Sequence, residues 1–274
     1  MNVAMLSNLE KIVIAGPCAI ESIDQMNKVV ESLRQTGVQY LRAQLFKPRT
    51  HPDSFQGIGI QGLSIIENLV DEFKLVMEVC SSDHLQVVAP YASILQLGAR
   101  NMQNFELLKQ IGRSYKDFSR QPFVMLKRGF GNTYSEWINS ALYLVRFGVP
   151  KEKIVLCERG SRCFHNPNGV VLDFAMALKA KRETDYQVII DPSHGSREAS
   201  LVLPLATAAL SLPLDGLMIE IHPNPRESVS DAGQAIALDE FENWAKINIL
   251  GSQFQKKNYY AAVTSLSQRD QIQR

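Results

Sequence analysis

The sequence predicts an α/β fold, a (β/α)8 TIM barrel, on three observations. Eight short apolar runs, at 12–15, 38–41, 75–79, 94–97, 123–126, 154–157, 188–190 and 217–221, are spread along the whole chain. They are rich in Val, Ile and Leu and stop at Gly, Pro or a charge, as strands covered on both faces do. The segments between them carry helical spacing, and strands alternating with helices indicate a parallel sheet. The length of 274 residues matches a barrel, which commonly runs to about 250 residues as one domain. A doubly wound open sheet is the other arrangement of the same elements.

Taken in order, the first run ends at Gly16-Pro-Cys18, and Ser22 with Gln25 offers a hydroxyl cap and a reciprocal side chain for a helix start. That helix carries the stripe Met26, Val29, Val30 and Leu33 and stops at Gly37. The second run leads to Lys47-Pro-Arg-Thr50. Gly57-Ile-Gly-Ile-Gln-Gly62 then matches a dinucleotide spacing, but it follows a loop rather than a strand, so no pyrophosphate would meet a helix start there. The next helical stripe is Leu63, Ile66, Leu69 and Val70. Thr133 and Glu136 form a second capping box, ahead of Trp137, Ile138, Ala141, Leu142 and Val145 and the terminating Gly148. Trp137 and Trp244 fall on apolar stripes and read as packing residues. Residues 1–250 are expected to form a single catalytic barrel, and the polar stretch 251–274 a tail or a short extra helix.

Hydrophobic residues make up 45% and charged residues 21%, an ordinary composition that can bury a large core. A net charge of +1 supplies no global field for nucleic acid or an anionic membrane. No basic leader and no apolar stretch near the ~20 residues of a bilayer span is seen, so a soluble, cytoplasmic protein is expected. Cys18, Cys80, Cys157 and Cys163 are too few for a disulfide scaffold and form no CxxC pair, so reduced thiols are expected.

In a barrel the chemistry gathers where the strands finish. Seven cations lie just beyond the runs: Arg42, Lys47, Arg49, Arg100, Lys127, Arg128 and Arg159. So dense a cluster implies bound anions, because guanidinium forks favour phosphate and carboxylate. One or two of the seven are expected to be ordinary ion pairs with Glu78, Glu158 or Glu220. A second constellation, Cys18, His194, Glu220 and Asp231, offers one sulfur, one nitrogen and two carboxylates, a set suited to a divalent transition metal. Taken singly, Cys18 is an ordinary small buried residue, and His194 or His222 a satisfied histidine; only the barrel would bring the four together.

At this point the residues become recognisable. Gly16-Pro-Cys18 with Glu21-Ser22, Lys47-Pro-Arg-Thr50, Ser54-Phe-Gln-Gly57, Gly98-Ala-Arg-Asn-Met-Gln-Asn104, Leu126-Lys-Arg-Gly129, Cys157-Glu-Arg-Gly160, Asp191-Pro-Ser-His-Gly195 and Met218-Ile-Glu-Ile-His222 closely resemble the type I 3-deoxy-D-arabino-heptulosonate 7-phosphate (DAHP) synthase family. The subgroup is the one that is also similar to 3-deoxy-manno-octulosonate 8-phosphate synthase. The resemblance covers about residues 12–245. It implies a metal-dependent, aldol-like condensation of phosphoenolpyruvate with erythrose 4-phosphate, at the entry to aromatic biosynthesis. Carried over by motif, Arg42, the Ala99 amide, Arg100, Lys127 and Arg159 would hold phosphoenolpyruvate. Lys47, Arg49 and Thr50 would hold the aldose, and Lys47 would also carry a proton to the alkoxide. Cys18, His194, Glu220 and Asp231 would bind one divalent ion: Mn2+, Fe2+, Co2+ or Zn2+. A homotetramer or homodimer is implied, and no added regulatory domain is expected.

The sequence departs from the family pattern in three places. Ser196-Arg-Glu-Ala-Ser200 stands where glycine and paired arginines are usual, the loop at 163–169 lacks an Arg-Asn-Thr pattern, and Ser81 replaces a common aspartate. Another acceptor, such as arabinose 5-phosphate, therefore stays open. So do a Schiff-base aldolase acting through Lys127 and a non-catalytic binding barrel.

Overall fold

The computed structural model of the chain describes residues 11–251. The eight parallel strands are β1 (Ile12–Gly16), β2 (Tyr40–Arg42), β3 (Lys74–Glu78), β4 (Ile94–Leu97), β5 (Phe123–Lys127), β6 (Ile154–Glu158), β7 (Gln187–Ile190) and β8 (Gly216–His222). They neighbour one another in sequence order, and β1 pairs with β8 from Ile12↔Gly216 to Gly16↔Glu220. The ring is closed, so the open doubly wound sheet does not occur. A short strand, Ile236–Ala237, pairs with the far end of β8.

Both faces of each strand are covered, which is why the runs are almost continuously apolar. One set of side chains, Ile14, Val76, Ile94, Met125, Val155, Cys157, Ile189 and Met218, fills the barrel interior. The alternate set, including Val13, Ala15, Leu75, Met77, Leu95, Val124, Leu156, Val188 and Leu217, packs against the helices. This two-residue period is the pleat of the sheet. Besides a short helix at Pro192–Ser196, the α-helices are α1 (Ile23–Thr36), α2 (Leu63–Ile66), α3 (Ser82–Val88), α4 (Phe105–Ser114), α5 (Tyr134–Phe147), α6 (Phe174–Glu183), α7 (Ala199–Ser211) and α8 (Leu238–Ala245). Among the described residues, no helix is long and apolar enough to cross a membrane. The tail expected at 251–274 lies outside the described residues apart from Gly251.

Most local signals act as the sequence suggests. Thr133 and Glu136 complete a reciprocal capping box at α5, and Gly37 and Gly148 end α1 and α5. At α1 the Ser22 hydroxyl accepts from the Gln25 amide, but the Gln25 side chain reaches back to the Glu21 amide instead of to Ser22. Beyond shifts of a residue at strand ends, three details differ. The second strand is Tyr40–Arg42 and not 38–41, because Val38 is buried in the layer beneath the helices before the chain enters the sheet. The Leu63, Ile66, Leu69, Val70 stripe is helical only to Ile66, and Leu69 continues it through turns, its carbonyl accepting from Phe73 at 2.9 Å. On α5 the buried face is Trp137, Ser140, Ala141 and Leu144, which leaves Leu142 49% exposed.

Trp137 is fully buried and donates its indole N–H to the Leu126 carbonyl at 3.1 Å. It thus ties α5 to β5 one residue before Lys127. Trp137→Phe leaves that carbonyl without this donor and a void beside it, with an expected stability loss of about 2 kcal/mol. The check is a lower urea midpoint at an unchanged denaturant slope. An unaltered midpoint would remove this tie from the account.

Candidate active site

The interior side chains at the C-terminal ends of the strands are polar, in contrast to the apolar layer below them. Arg42 ends β2, Glu78 β3, and Lys127 β5; Gln96 lies in β4, Asp191 directly follows β7, and Glu220 lies in β8. All six are buried. Buried charges must be paired or hydrogen-bonded, and these are. Arg42 Nη1 donates to Glu220 Oε2 at 3.0 Å, Lys127 Nζ to Asp191 Oδ2 at 2.6 Å, and Gln96 Nε2 to Glu78 Oε2 at 2.8 Å. Gly98 makes room for Glu78, since a Cβ there would lie 2.1 Å from Glu78 Oε1.

Cys18, His194, Glu220 and Asp231 come together as the sequence suggested, with one ligand atom from each lying within 4.8 Å of the others. Cys18 leaves β1, His194 sits on the short helix Pro192–Ser196 after β7, and Asp231 is on the segment after β8. Cys18 Sγ donates to Asp231 Oδ2 at 3.0 Å. Lys47 contacts Cys18 Sγ and donates to Asp231 Oδ2 at 2.6 Å. Burial, with Glu220 adding to it, pushes the Cys18 thiol up to about 12 against the pull of Arg42 and Lys47. Burial lowers His194. Burial would raise Asp231, but Lys47 and His194 outweigh it and hold the carboxyl below its usual range. Lys47 goes the other way: burial would lower it, yet Cys18, Asp231 and Glu220 raise it.

The residues fit a soft-to-intermediate divalent cation. A thiol, an imidazole and two carboxylates converge, and Glu220 Oε1 is buried with no hydrogen-bond partner among the described residues. His194 Nδ1 lies 2.9 Å from Asp191 Oδ2, the outer contact that orients a ligating imidazole. Ser193 Oγ accepts from the Glu220 amide at 2.9 Å and joins the Pro192–Ser196 helix to β8. The segment bearing Asp231 is tied down by Glu21, which accepts from Ser228 Oγ at 3.0 Å and from the Val229 amide at 3.2 Å. His222, read as a satisfied histidine, places Nε2 3.3 Å from Glu21 Oε2.

Above this floor opens a cavity of about 450 Å³, lined by Arg42, Lys47, Arg49, Thr50, Ala99, Arg100, Lys127, Arg159, His194 and Asp231 among others. All of the expected substrate-binding residues therefore reach one space. Their pairing corrects the expectation that only one or two rim cations would be neutralised. Four are: Arg42 by Glu220, Lys47 by Asp231, Lys127 by Asp191 and Arg128 by Glu158. Glu78, named as an ion-pair partner, takes Gln96 instead. Arg49, Arg100 and Arg159 have no acidic partner among the described residues. Arg128 is not in the cavity wall; it is buried against Glu158, whose Oε1 also accepts from the Gly160 amide at 2.8 Å. Thr50 Oγ1 accepts from Arg100 Nη2 at 2.9 Å.

Two wall residues escaped the sequence reading. Arg197 lines the cavity from a left-handed position at φ 56 that ends the Pro192–Ser196 helix. It stands inside the stretch read only as a departure from the family pattern. Phe130, two residues past Arg128, forms another part of the wall. An aromatic residue directly after strand-end cations was the available signal. Ser81, the other departure, caps α3 by accepting from the His84 amide.

A model of the DAHP synthetase I family matches residues 4–255. The phospho-2-dehydro-3-deoxyheptonate aldolase of Thermotoga maritima is 38% identical over 232 residues, which cover 84% of this chain and 66% of that protein. This chain thus spans just under two thirds of that relative's length. The 2-dehydro-3-deoxyphosphooctonate aldolase of Fusobacterium nucleatum is 27% identical over 258 residues, covering 87% of this chain and 89% of that protein. The crystal structure of the Thermotoga maritima DAHP synthase is similar with a TM-score of 0.80 at 36% identity, over 93% of this chain and 71% of that one. A truncated form of the DAHP synthase from Thermotoga maritima gives 0.77 at 33% identity, over 93% and 88%. With the family model matched across nearly its whole length, this chain belongs to the DAHP synthetase I family.

Proposed function

We propose that the chain is a DAHP synthase, condensing phosphoenolpyruvate with D-erythrose 4-phosphate and water to give 3-deoxy-D-arabino-heptulosonate 7-phosphate and phosphate. One observation carries the reading: the Cys18, His194, Glu220 and Asp231 cluster adjoins a cavity whose wall holds Arg49, Arg100 and Arg159 without acidic partners. Two phosphates and a carboxylate need such cations. A neutral sugar site would not keep three guanidiniums free of acids.

Arg42, the Ala99 amide, Arg100, Lys127 and Arg159 hold phosphoenolpyruvate. Arg42 and Lys127 are rigid because Glu220 and Asp191 anchor them, while Arg100 and Arg159 bring undiminished charge. Arg49 and Thr50 hold the aldose phosphate, and the Arg100 to Thr50 hydrogen bond joins the two half-sites along one wall. This places the enol carbon beside the aldehyde, the positioning that converts a bimolecular encounter into a local one. A divalent metal held by Cys18, His194, Glu220 and Asp231 would supply Lewis acidity to the aldehyde oxygen. Lys47, kept protonated by its acidic neighbours, gives a proton to the alkoxide as the carbon–carbon bond closes. Water adds at the carbon bearing the phosphate ester, and the proton it releases on adding restores the Lys47 ammonium. The carbon–oxygen bond to phosphate then breaks, and the new hydroxyl becomes the ketone as its proton departs with phosphate.

The test is phosphate release from phosphoenolpyruvate by protein stripped with a chelator and reloaded with Mn2+, Fe2+, Co2+ or Zn2+, across a panel of phosphorylated aldoses. Release only with reloaded protein and with erythrose 4-phosphate is expected. Release confined to arabinose 5-phosphate would overturn the acceptor, and release without metal would overturn the metal's role. The homodimer or homotetramer implied by the family is checked by light scattering on the same samples. A further expected result concerns Asp191. Replacing it with Asn removes the charge facing His194 Nδ1 and should weaken metal affinity about 10–100-fold. Competition against a chromophoric chelator measures this, and unchanged affinity would detach Asp191 from the metal site.

A further inference from the structure

We propose that Phe130 is a positioning residue whose ring holds Arg100 and Arg159 in place for a bound oxyanion without consuming their charge. The inference rests on the phosphoenolpyruvate reading above and names how that half of the site is built. Three guanidiniums surround one ring: Arg159 Cζ lies 5.0 Å from the Phe130 centroid, Arg100 5.3 Å and Arg162 5.5 Å. Among the described residues, none of the three has an acidic partner. Like charges this close repel; Asp191 and Glu158 attract Arg159 without touching it, and the ring is the one surface that all three guanidiniums share.

The contrast with the adjacent position shows what the ring achieves. Arg128 is held by Glu158 through two nitrogens, which neutralises its charge and occupies its fork. An arginine fixed in that way is spent as an anion receptor. Over the face of an aromatic ring, a guanidinium is attracted by the ring quadrupole and keeps its full charge. Arg159 is itself buried, and burial lowers its pKa, so an adjacent electron-rich surface supports its charged form alongside the more distant Asp191 and Glu158. Among the described residues its side-chain hydrogen bond is a long one, Nη1 to the Gly160 carbonyl at 3.5 Å.

The ring is held in position by its own backbone. The Phe130 carbonyl accepts from the Arg162 amide at 2.7 Å, which docks the turn onto the hairpin formed by Ser161–Arg162 and Val170–Val171. On the other side the Gly129 amide donates to Met102 Sδ at 3.1 Å. Arg100 follows β4 and Arg159 follows β6, while Phe130 follows β5 between them. One aromatic residue thus bridges the cations of the two flanking strands.

The experiment separates ring electrostatics from packing. Phenylalanines bearing one, two and three ring fluorines are placed at position 130 of the full chain, since fluorination weakens the quadrupole with little change in shape. Phe130→Leu and Phe130→Tyr accompany them. Binding of phosphoenolpyruvate and, separately, of inorganic phosphate is titrated calorimetrically, and KM and kcat are measured for both substrates. The expected result is a graded loss of affinity for both probes, reaching about tenfold with three fluorines and in Phe130→Leu. Phe130→Tyr should retain affinity, and the aldose KM and thermal midpoint should stay level across the fluorinated series. Affinity that does not change with fluorination would overturn the inference while leaving the proposed function standing. Wild-type protein that binds phosphate but not phosphoenolpyruvate would overturn the substrate reading, and the phosphate series would then decide the role of the ring. Binding of neither probe would overturn both.

Discussion

Replacing His194 with alanine is expected to lower phosphate release by about 10³-fold or more, with the protein still folded. The metal site would lose its one nitrogen ligand, and Lewis acidity at the reacting oxygen is worth several kcal/mol, each 1.36 kcal/mol being about tenfold in rate. The fold should tolerate the change. His194 is partly exposed on a five-residue helix, and the Asp191 carboxylate it leaves still has Lys127 at 2.6 Å and caps that helix through the residue-194 amide. Metal content by atomic emission and far-ultraviolet circular dichroism complete the test. A variant that keeps its metal and most of its rate would show that the four converging ligand atoms do not make the catalytic centre.

Arg128→Ala is expected to produce the largest loss of stability, about 3–5 kcal/mol, because it leaves the Glu158 carboxylate buried and uncompensated. Glu158 is fully buried, and once Arg128 is gone only the Gly160 and Asp173 amides, at 2.8 and 3.2 Å, still donate to it among the described residues. For a chain of this size the thermal midpoint should fall by about 6–20 °C. The sign of the electrostatic account is checked by Arg128→Ala combined with Glu158→Gln. The neutral amide oxygen still accepts from both backbone donors, so the double variant should regain at least half of the loss. If Arg128→Ala melts within about 1 kcal/mol of the wild type, the pair is not what stabilises this rim.

Arg128 also marks where sequence reading ends. From the order Leu126-Lys-Arg-Gly129 it stood with Lys127 as a cation beyond a strand. Adjacent residues point to opposite faces, however: Lys127 turns into the barrel toward Asp191, and Arg128 turns toward Glu158. Which acid meets which base depends on neighbours across the sheet, such as the Lys127↔Cys157 register between β5 and β6. The same limit explains why Phe130 and Arg197 were missed. Their importance comes from the cations and the cavity around them, whereas each alone reads as an ordinary residue in a loop. The shifted start of β2 has a related cause, since burial of Val38 looks the same in a sequence whether the chain is in the sheet or approaching it.

By itself the sequence determined the number and order of the eight barrel strands, the helix caps at Ser22 and Thr133, and the set of residue types available at the strand ends. These are local properties: apolar periodicity, the hydroxyl that satisfies a helix-start amide, and the charge that ends an apolar run. The family resemblance implied that Cys18 and Asp231, 213 positions apart, share one site; only the tertiary structure brought them within 3.0 Å and showed that four of seven rim cations are already neutralised. The physical reason is that closing the ring through β1 and β8 sets distances between residues that have no covalent proximity. Coulombic attraction and ligation fall off over a few ångströms of space, not of chain.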